Sequence, residues 1–424
     1  MTGSAHHQGT SGRLAHIDNL RVACMALGIF VHTSALGEFG RLEAFAEVSD
    51  WFRMATFFLV SGYFGMMLLD RRPVAVFLDQ RLQALVLPLV SCLLLLNPVT
   101  LWLVYRVHNP GPAGWPEVIA ALTGESPARG PMVWHLHLWF LVSLVCYVLA
   151  APLAAGPLRR LAASRALARL AAWRGGAAVP VALTLGLVAT VLAIQVAAKA
   201  LGGPFTEAWL LRATLGYWPY YLLGMLLWRA PALWSACHRV DPALMALAAA
   251  AIGAHLWLHP PGPAGALLGL VATATMRCAI SFALLALFAR FLDRSTPLTR
   301  ALSDGIYTVY LLHYLVIFSL GWLWLSAGLP LGAAAFWTIA AASSVATLGL
   351  HLGLVRRVPL LRLMLNGKST PAPVAAPLSG PAFSPAFSPV SAVLPGAAPA
   401  QGPAPAPAAA PSAAPPAVGP TITA

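Results

Sequence analysis

The sequence predicts an all-α polytopic membrane protein of about ten transmembrane helices with both ends cytoplasmic. Three observations carry this. Of the 424 residues, 59% are hydrophobic and only 9% are charged, whereas a soluble protein carries about 25% charge. Apolar runs of about 20 residues, the length that crosses a bilayer as a helix, recur along the chain without the alternating short strands of a β-barrel. Most of the 26 Lys and Arg fall in every second connection between those runs. With those connections inside, the positive-inside rule places both flanks in the cytoplasm, and that requires an even number of spans.

The spans run roughly over 17–37, 50–69, 82–107, 134–155, 178–199, 208–228, 242–258, 266–290, 306–327 and 330–355. The first is too long for a cleaved signal peptide and is followed by further spans, so it reads as a retained signal anchor. An acidic outer loop (Glu38, Glu43, Glu47, Asp50) leads to the second span, which ends at Arg71 and Arg72. Arg81 opens the third. The long outer loop 107–133, with its Pro, Gly and Trp115, has the composition of a lid or docking surface. Beyond the fourth span, the Arg-rich stretch 158–175 has helical spacing and belongs on the inner face. The sixth span ends at Arg229, the short seventh follows Arg239, the eighth stops at Arg290 and the tenth at Arg356 and Arg357.

Three regions follow: a short cytoplasmic N-terminus over 1–15, a membrane domain over 16–360, and a tail over 369–424. The tail is uncharged, rich in Pro and Ala, and repeats itself in PAFSPAFSP at 381–389. Such a composition cannot bury a core and predicts disorder. The net charge of +13 sits in short inter-span loops, the pattern of topology signals with some capacity to contact anionic lipid, and not that of a nucleic-acid binder. Cys24, Cys92, Cys146, Cys237 and Cys278 are scattered, with no CxxC pair and no disulfide framework.

The first span, IDNLRVACMALGIFVHTSAL, holds Asp18, Arg21 and His32. Eleven residues separate Arg21 from His32. At about 100° and 1.5 Å per residue, that returns the side chain to within roughly 20° of its starting direction, some ~16 Å further along the axis. A charge inside a bilayer costs about 2.5–3.5 kcal/mol and usually faces a bundle interior or wet cavity. This helix therefore reads as the wall of a site.

Four ordered features carry a resemblance. The first is Asp18-Asn19-Leu20-Arg21 followed by His32. The second is Phe57-Phe58-Leu59-Val60-Ser61-Gly62-Tyr63-Phe64, with Arg81 and Pro88 beyond it. The third is His137-Leu138-Trp139-Phe140-Leu141, and the fourth is Ser303, Ile306-Tyr307 and Tyr310-Leu311-Leu312-His313. Together they resemble the acyltransferase 3 family of integral membrane acyltransferases over residues 13–360. The third motif and the His32-Thr33-Ser34 context look most similar to the subgroup that includes glucan-biosynthesis succinyltransferases. One position departs: the family's inner loop often has two arginines three apart, and Ala84 stands where the second would be.

The resemblance implies O-acyl transfer at a bacterial cytoplasmic membrane. An acyl-CoA co-substrate gives acetyl, succinyl or a similar group to a glycan or other sugar-containing acceptor, with no bound cofactor. His32 is the candidate general base, a role for which an imidazole near pKa 7 is suited. Arg21 is a candidate for holding the anionic donor; its competing role is snorkelling to the interface, paired with Asp18. Asp18 is equally a helix cap. Arg81, Arg72 and Arg71 are the donor-binding candidates of the inner loop. His137 and Trp139 either shape the acceptor site or belong to an interfacial aromatic belt. Tyr310 and His313 shape the site or make a polar contact between helices. No metal is expected at His135 and His137, because residues two apart on a helix face different ways. Ser61 and Gly62 read as small residues for close packing, and a covalent Ser61 intermediate lacks a GxSxG elbow and an adjacent base. The competing function is a transporter or flippase without chemistry of its own, against which stands the lack of inverted repeats with broken helices.

Overall fold

A computed structural model describes residues 14–109, 111, 114–173, 178–203, 208–258 and 260–368. The predicted disordered tail, and residues 1–13, lie outside the described residues. Among the described residues every regular element is helical. The ten expected spans correspond to ten rods: α1 (Ala15–Ser34), α3 (Arg53–Arg71), α4 with α5 (Val74–Ser91, Asn97–His108), α7 (Trp139–Ala162), α9 (Ala178–Leu201), α10 (Trp209–Arg229), α12 (Pro242–Trp257), α13 (Gly262–Phe291), α14 (Pro297–Ser326) and α15 (Ala333–Leu350). Short helices fill the connections: α2 (Glu43–Asp50), α6 (Trp115–Thr123), α8 (Arg165–Ala172), α11 (Pro231–Ala236) and α16 (Pro359–Asn366). Seven rods are long and apolar enough to cross a membrane. The others are α12, with 16 residues, and α1 and α10, whose 20 and 21 residues are diluted by charged and tyrosyl side chains.

The helix ends follow local rules. Pro stands in the first turn of α5, α6, α11, α12, α13, α14 and α16, where its missing N–H costs nothing. Thr296 and Thr299 form a capping box at the start of α14. That cap starts the ninth rod nine residues before the expected 306, across Arg300, Ser303 and Asp304, which hydropathy alone reads as loop. His313 accordingly lies midway along its helix, not a third of the way in.

The rod Gly40–Arg71, which contains α3, forms the centre: 100% of its apolar window is buried, against 33% for the rods of α9 and α15. Its closest partner is α10, and glycine is the reason. A Cβ on Gly62 would lie 1.9 Å from the Tyr221 carbonyl oxygen, and one on Gly224 would lie 1.9 Å from that of Leu59. Each helix thus lends the other a bare backbone surface, the small-residue contact that packs helices closely in lipid. Ser61 is spent locally, its hydroxyl donating to the Phe57 carbonyl at 2.7 Å.

Two anchors set the register of α1. Asn19 Nδ2 donates to the Leu292 and Arg294 carbonyls at 2.6 and 3.0 Å, and the backbone N–H of His16 donates to Asp293 at 3.1 Å. These bonds align the start of α1 with the start of α14, which it packs against. His32 lies seventeen residues into α1 and His313 sixteen into α14, so parallel neighbours with aligned ends put the two imidazoles at one depth, about 25 Å from those ends.

Candidate active site

A cavity of about 40 Å³ lies between α1, α3, the turn ahead of α7, and α14. Its polar lining is His32, Arg53, His137, Tyr310 and His313, and Met25, Gly28, Met54, Phe57, Trp139 and Phe140 complete the wall. A space of that size holds about three waters, so a substrate must displace them or widen it.

On α1, residues 25, 28 and 32 share one stripe, and Arg21 extends it by one turn toward the end assigned to the cytoplasm. Arg21 is buried and donates to Asp18 at 3.2 Å. Neither residue lines the cavity, which begins one turn beyond them.

His137 arrives differently from expectation. The fourth rod becomes α-helical only at Trp139, and His135 and His137 precede it around a tight 3₁₀ turn at Leu136–Leu138. The two histidines are therefore not related by α-helical spacing. Leu136 has φ +45°, the left-handed region, and is the only non-glycine there among the described residues. Such backbone strain, of order 1–3 kcal/mol, tends to mark functional positions. The turn sends His135 outward to stack on Trp209 (5.7 Å between centroids, 15°) and His137 inward onto Tyr314 (4.8 Å, 13°). Tyr310 holds it there by donating to the His137 carbonyl at 2.9 Å.

The three imidazoles gather closely. Ring centroids are 5.0 Å apart for His32 and His313, 5.1 Å for His137 and His313, and 6.0 Å for His32 and His137. His313 is 1% exposed and His137 7%, whereas His32 is only half-buried. Among the described residues no group of three or more His, Cys, Asp or Glu has the geometry to hold a metal ion.

Sequence reasoning missed Arg53 and Tyr314. Arg53 lies inside the second span expected over 50–69, four positions ahead of the aromatic motif, and no motif marks it. In the fold it is 8% exposed, donates to the exposed Asp50 at 3.2 Å and lines the cavity beside His32. The signal was present: a cation one turn inside an apolar span needs a partner or a wet site. Tyr314 follows the fourth motif directly and stands 4.9 Å from the His32 ring.

The three inner-loop arginines lie away from the cavity. Arg71 stacks over Trp228 at 5.4 Å, beside Asp70, which also accepts from Arg159, Arg229 and Trp228 at 2.9–3.2 Å. Arg72 ends α3 in extended conformation, and Arg81 is buried within α4 near Tyr221. None of the three lines the cavity. The departing position, Ala84, is buried and its backbone is closely approached. A Cβ on Gly367 would stand 2.7 Å from the Ala84 Cα, and Tyr307 donates to the Ala84 carbonyl at 3.2 Å.

A stretch of 142 residues is 28% identical to glucans biosynthesis protein C of Salmonella paratyphi B, Salmonella heidelberg and Salmonella enteritidis PT4. The match covers 30% of this chain and 35% of each relative, so it spans about a third of their length. No solved structure matches. A family model described as an acyltransferase domain matches residues 14–355, which takes in the four motifs and all the cavity-lining residues. By that match, this multi-pass membrane protein belongs to the acyltransferase 3 family.

Proposed function

We propose that the protein transfers an acyl group, acetyl, succinyl or similar, from acyl-CoA to a hydroxyl of a glycan or other exported sugar-containing acceptor, at the bacterial cytoplasmic membrane. The carrying observation is the half-buried His32 ring opening on a cavity with two further imidazoles and a buried guanidinium, inside the matched acyltransferase domain. The relatives' name, glucans biosynthesis protein C, supports a glucan-type acceptor. In the step, His32 accepts the proton of the acceptor hydroxyl, whose oxygen forms the new C–O bond at the thioester carbonyl. The C–S bond breaks, and the CoA thiolate leaves with the proton from His32. Arg53 stands where negative charge develops on the carbonyl oxygen, a cation preorganised for that charge. Arg21 with Arg71, Arg72 and Arg81, on the side assigned to the cytoplasm, supplies positive charge for the donor's phosphates.

The test is purified protein in vesicles with labelled acyl-CoA and candidate glycans. Label should move to the glycan, and the rate should fall about 10²–10⁴-fold in His32→Ala at unchanged membrane levels. Movement of the glycan across the vesicle without acylation, unaffected by His32→Ala, would establish the transporter reading instead.

A further inference from the structure

The hydrogen bonds of His313 assign its tautomer. Its Nδ1 lies 3.0 Å from the Val309 carbonyl oxygen and 2.8 Å from that of Tyr310. A carbonyl can only accept, so Nδ1 carries the hydrogen and Nε2 of the neutral ring is a bare lone pair. With the Nδ1 edge turned back onto its own helix, the opposite edge faces the cavity, where Nε2 is buried and makes no hydrogen bond. A buried acceptor left without a donor is destabilising, and such a group at a cavity needs an explanation.

We infer that His313 is the positioning residue of the acyl-transfer site: its bare Nε2 accepts an N–H from His32 and so leaves the other His32 nitrogen unprotonated toward the substrate. Depth assigns the roles. His32 is half-buried and reaches incoming groups, while His313 is sealed behind it at 1% exposure. The centroid separation of 5.0 Å is about what an N–H on one imidazole needs to reach a nitrogen on another, so a small ring rotation completes the bond. Two backbone carbonyls then do for this pair what a carboxylate does in other base–orienter pairs, holding the second group so that it holds the first. The groups facing His313 are His32 on α1, Arg53 on α3, His137 ahead of α7, and Tyr310 and Tyr314 on its own helix. Arg53 already donates to Asp50, and His137, whose ring nitrogens make no hydrogen bond and whose centroid is 5.1 Å from that of His313, is the competing donor that the His32 tautomer measurement discriminates against.

The kinetic arm rests on the acyl-transfer reading; the spectroscopic arm does not. His313→Asn keeps an amide donor near the two carbonyls and deletes the Nε2 acceptor, whereas His313→Gln places an amide oxygen near the Nε2 position. Acyl-transfer assays should show kcat lowered about 10²-fold in His313→Asn with KM unchanged. His313→Gln should retain much of the rate, and the His32→Ala, His313→Asn pair should be strongly non-additive. Nitrogen-15 NMR of histidine-labelled protein in detergent at neutral pH should show His313 protonated at Nδ1 only. It should also show one His32 tautomer in the wild type and a mixture in His313→Asn. An Nε2-protonated His313, a His32 tautomer indifferent to His313→Asn, or additive single losses would each overturn the inference. If no preparation transfers acyl groups, the reaction reading fails while the tautomer result still decides the His32–His313 relationship.

Discussion

Gly28 makes room for Arg53: a Cβ on Gly28 would stand 2.6 Å from Arg53 Nη1. The guanidinium therefore fills a notch on α1 one turn before His32. Side chains on a helix lean toward its N-terminus, so the His32 ring leans over that same notch. The guanidinium and the imidazole thus line the same cavity.

From this follows the first prediction. Gly28→Ala displaces only the flexible end of Arg53, so the protein should fold normally and lose about tenfold in kcat by mispositioning. Arg53→Met should cost about 10²–10³-fold, the range for removing one preorganised donor to a developing oxyanion. Folding should survive that change too, because the partner left behind, Asp50, is exposed. The double variant should lose no more than Arg53→Met alone. Full activity in Arg53→Met would remove the residue from the reaction.

The crossing of α3 and α10 provides the second. Gly62→Ala and Gly224→Ala each drive a methyl into backbone carbonyl rather than a yielding side chain. Each should destabilise by about 1–3 kcal/mol, read as a lowered melting temperature in detergent. Gly156→Ala in α7 and Gly186→Ala in α9 meet nothing within 4 Å. They should be neutral or gain up to about 1 kcal/mol from helix propensity. Equal behaviour of the two pairs would mean the crossing is looser than these distances.

The third concerns pH. At the α11–α12 connection His238 Nδ1 donates to the Trp234 carbonyl at 2.8 Å, and its Nε2 meets Nε2 of His16 at 3.2 Å. Burial pushes the His238 imidazolium pKa down from 6.5 to about 4. The unfolded chain therefore binds this proton more tightly than the fold between those values, and stability rises with pH across that window. Acidification from pH 7 should leave the melting temperature unaffected by this group until about pH 6.5, then lower it progressively toward pH 4. His238→Asn, which keeps an amide donor to Trp234, should flatten that decline; an unchanged slope would show that other groups dominate it.

Much of this molecule is legible in its sequence. Ten apolar stretches became ten rods because a lipid-spanning segment must satisfy its backbone internally, and a helix does so one stretch at a time. The stripe Arg21–Met25–Gly28–His32 was equally determined, since 3.6 residues per turn needs no partner. The start of α14 at Pro297 was missed, because a polar first turn held by a threonine cap carries no hydropathy signal.

What only the tertiary structure decided is which side chains meet. Residues 32, 53, 137 and 313 come from four elements far apart in the chain. Their convergence depends on bonds local patterning does not contain: Asn19 gripping the end of α13, the glycines that let α10 press on α3, and the left-handed Leu136 that turns His137 inward. Helix geometry is a property of a segment, whereas a site is a property of how segments are set against one another. That is why Arg53, unmarked within its span, acquires a place in the site only when its helix is set against the notch at Gly28.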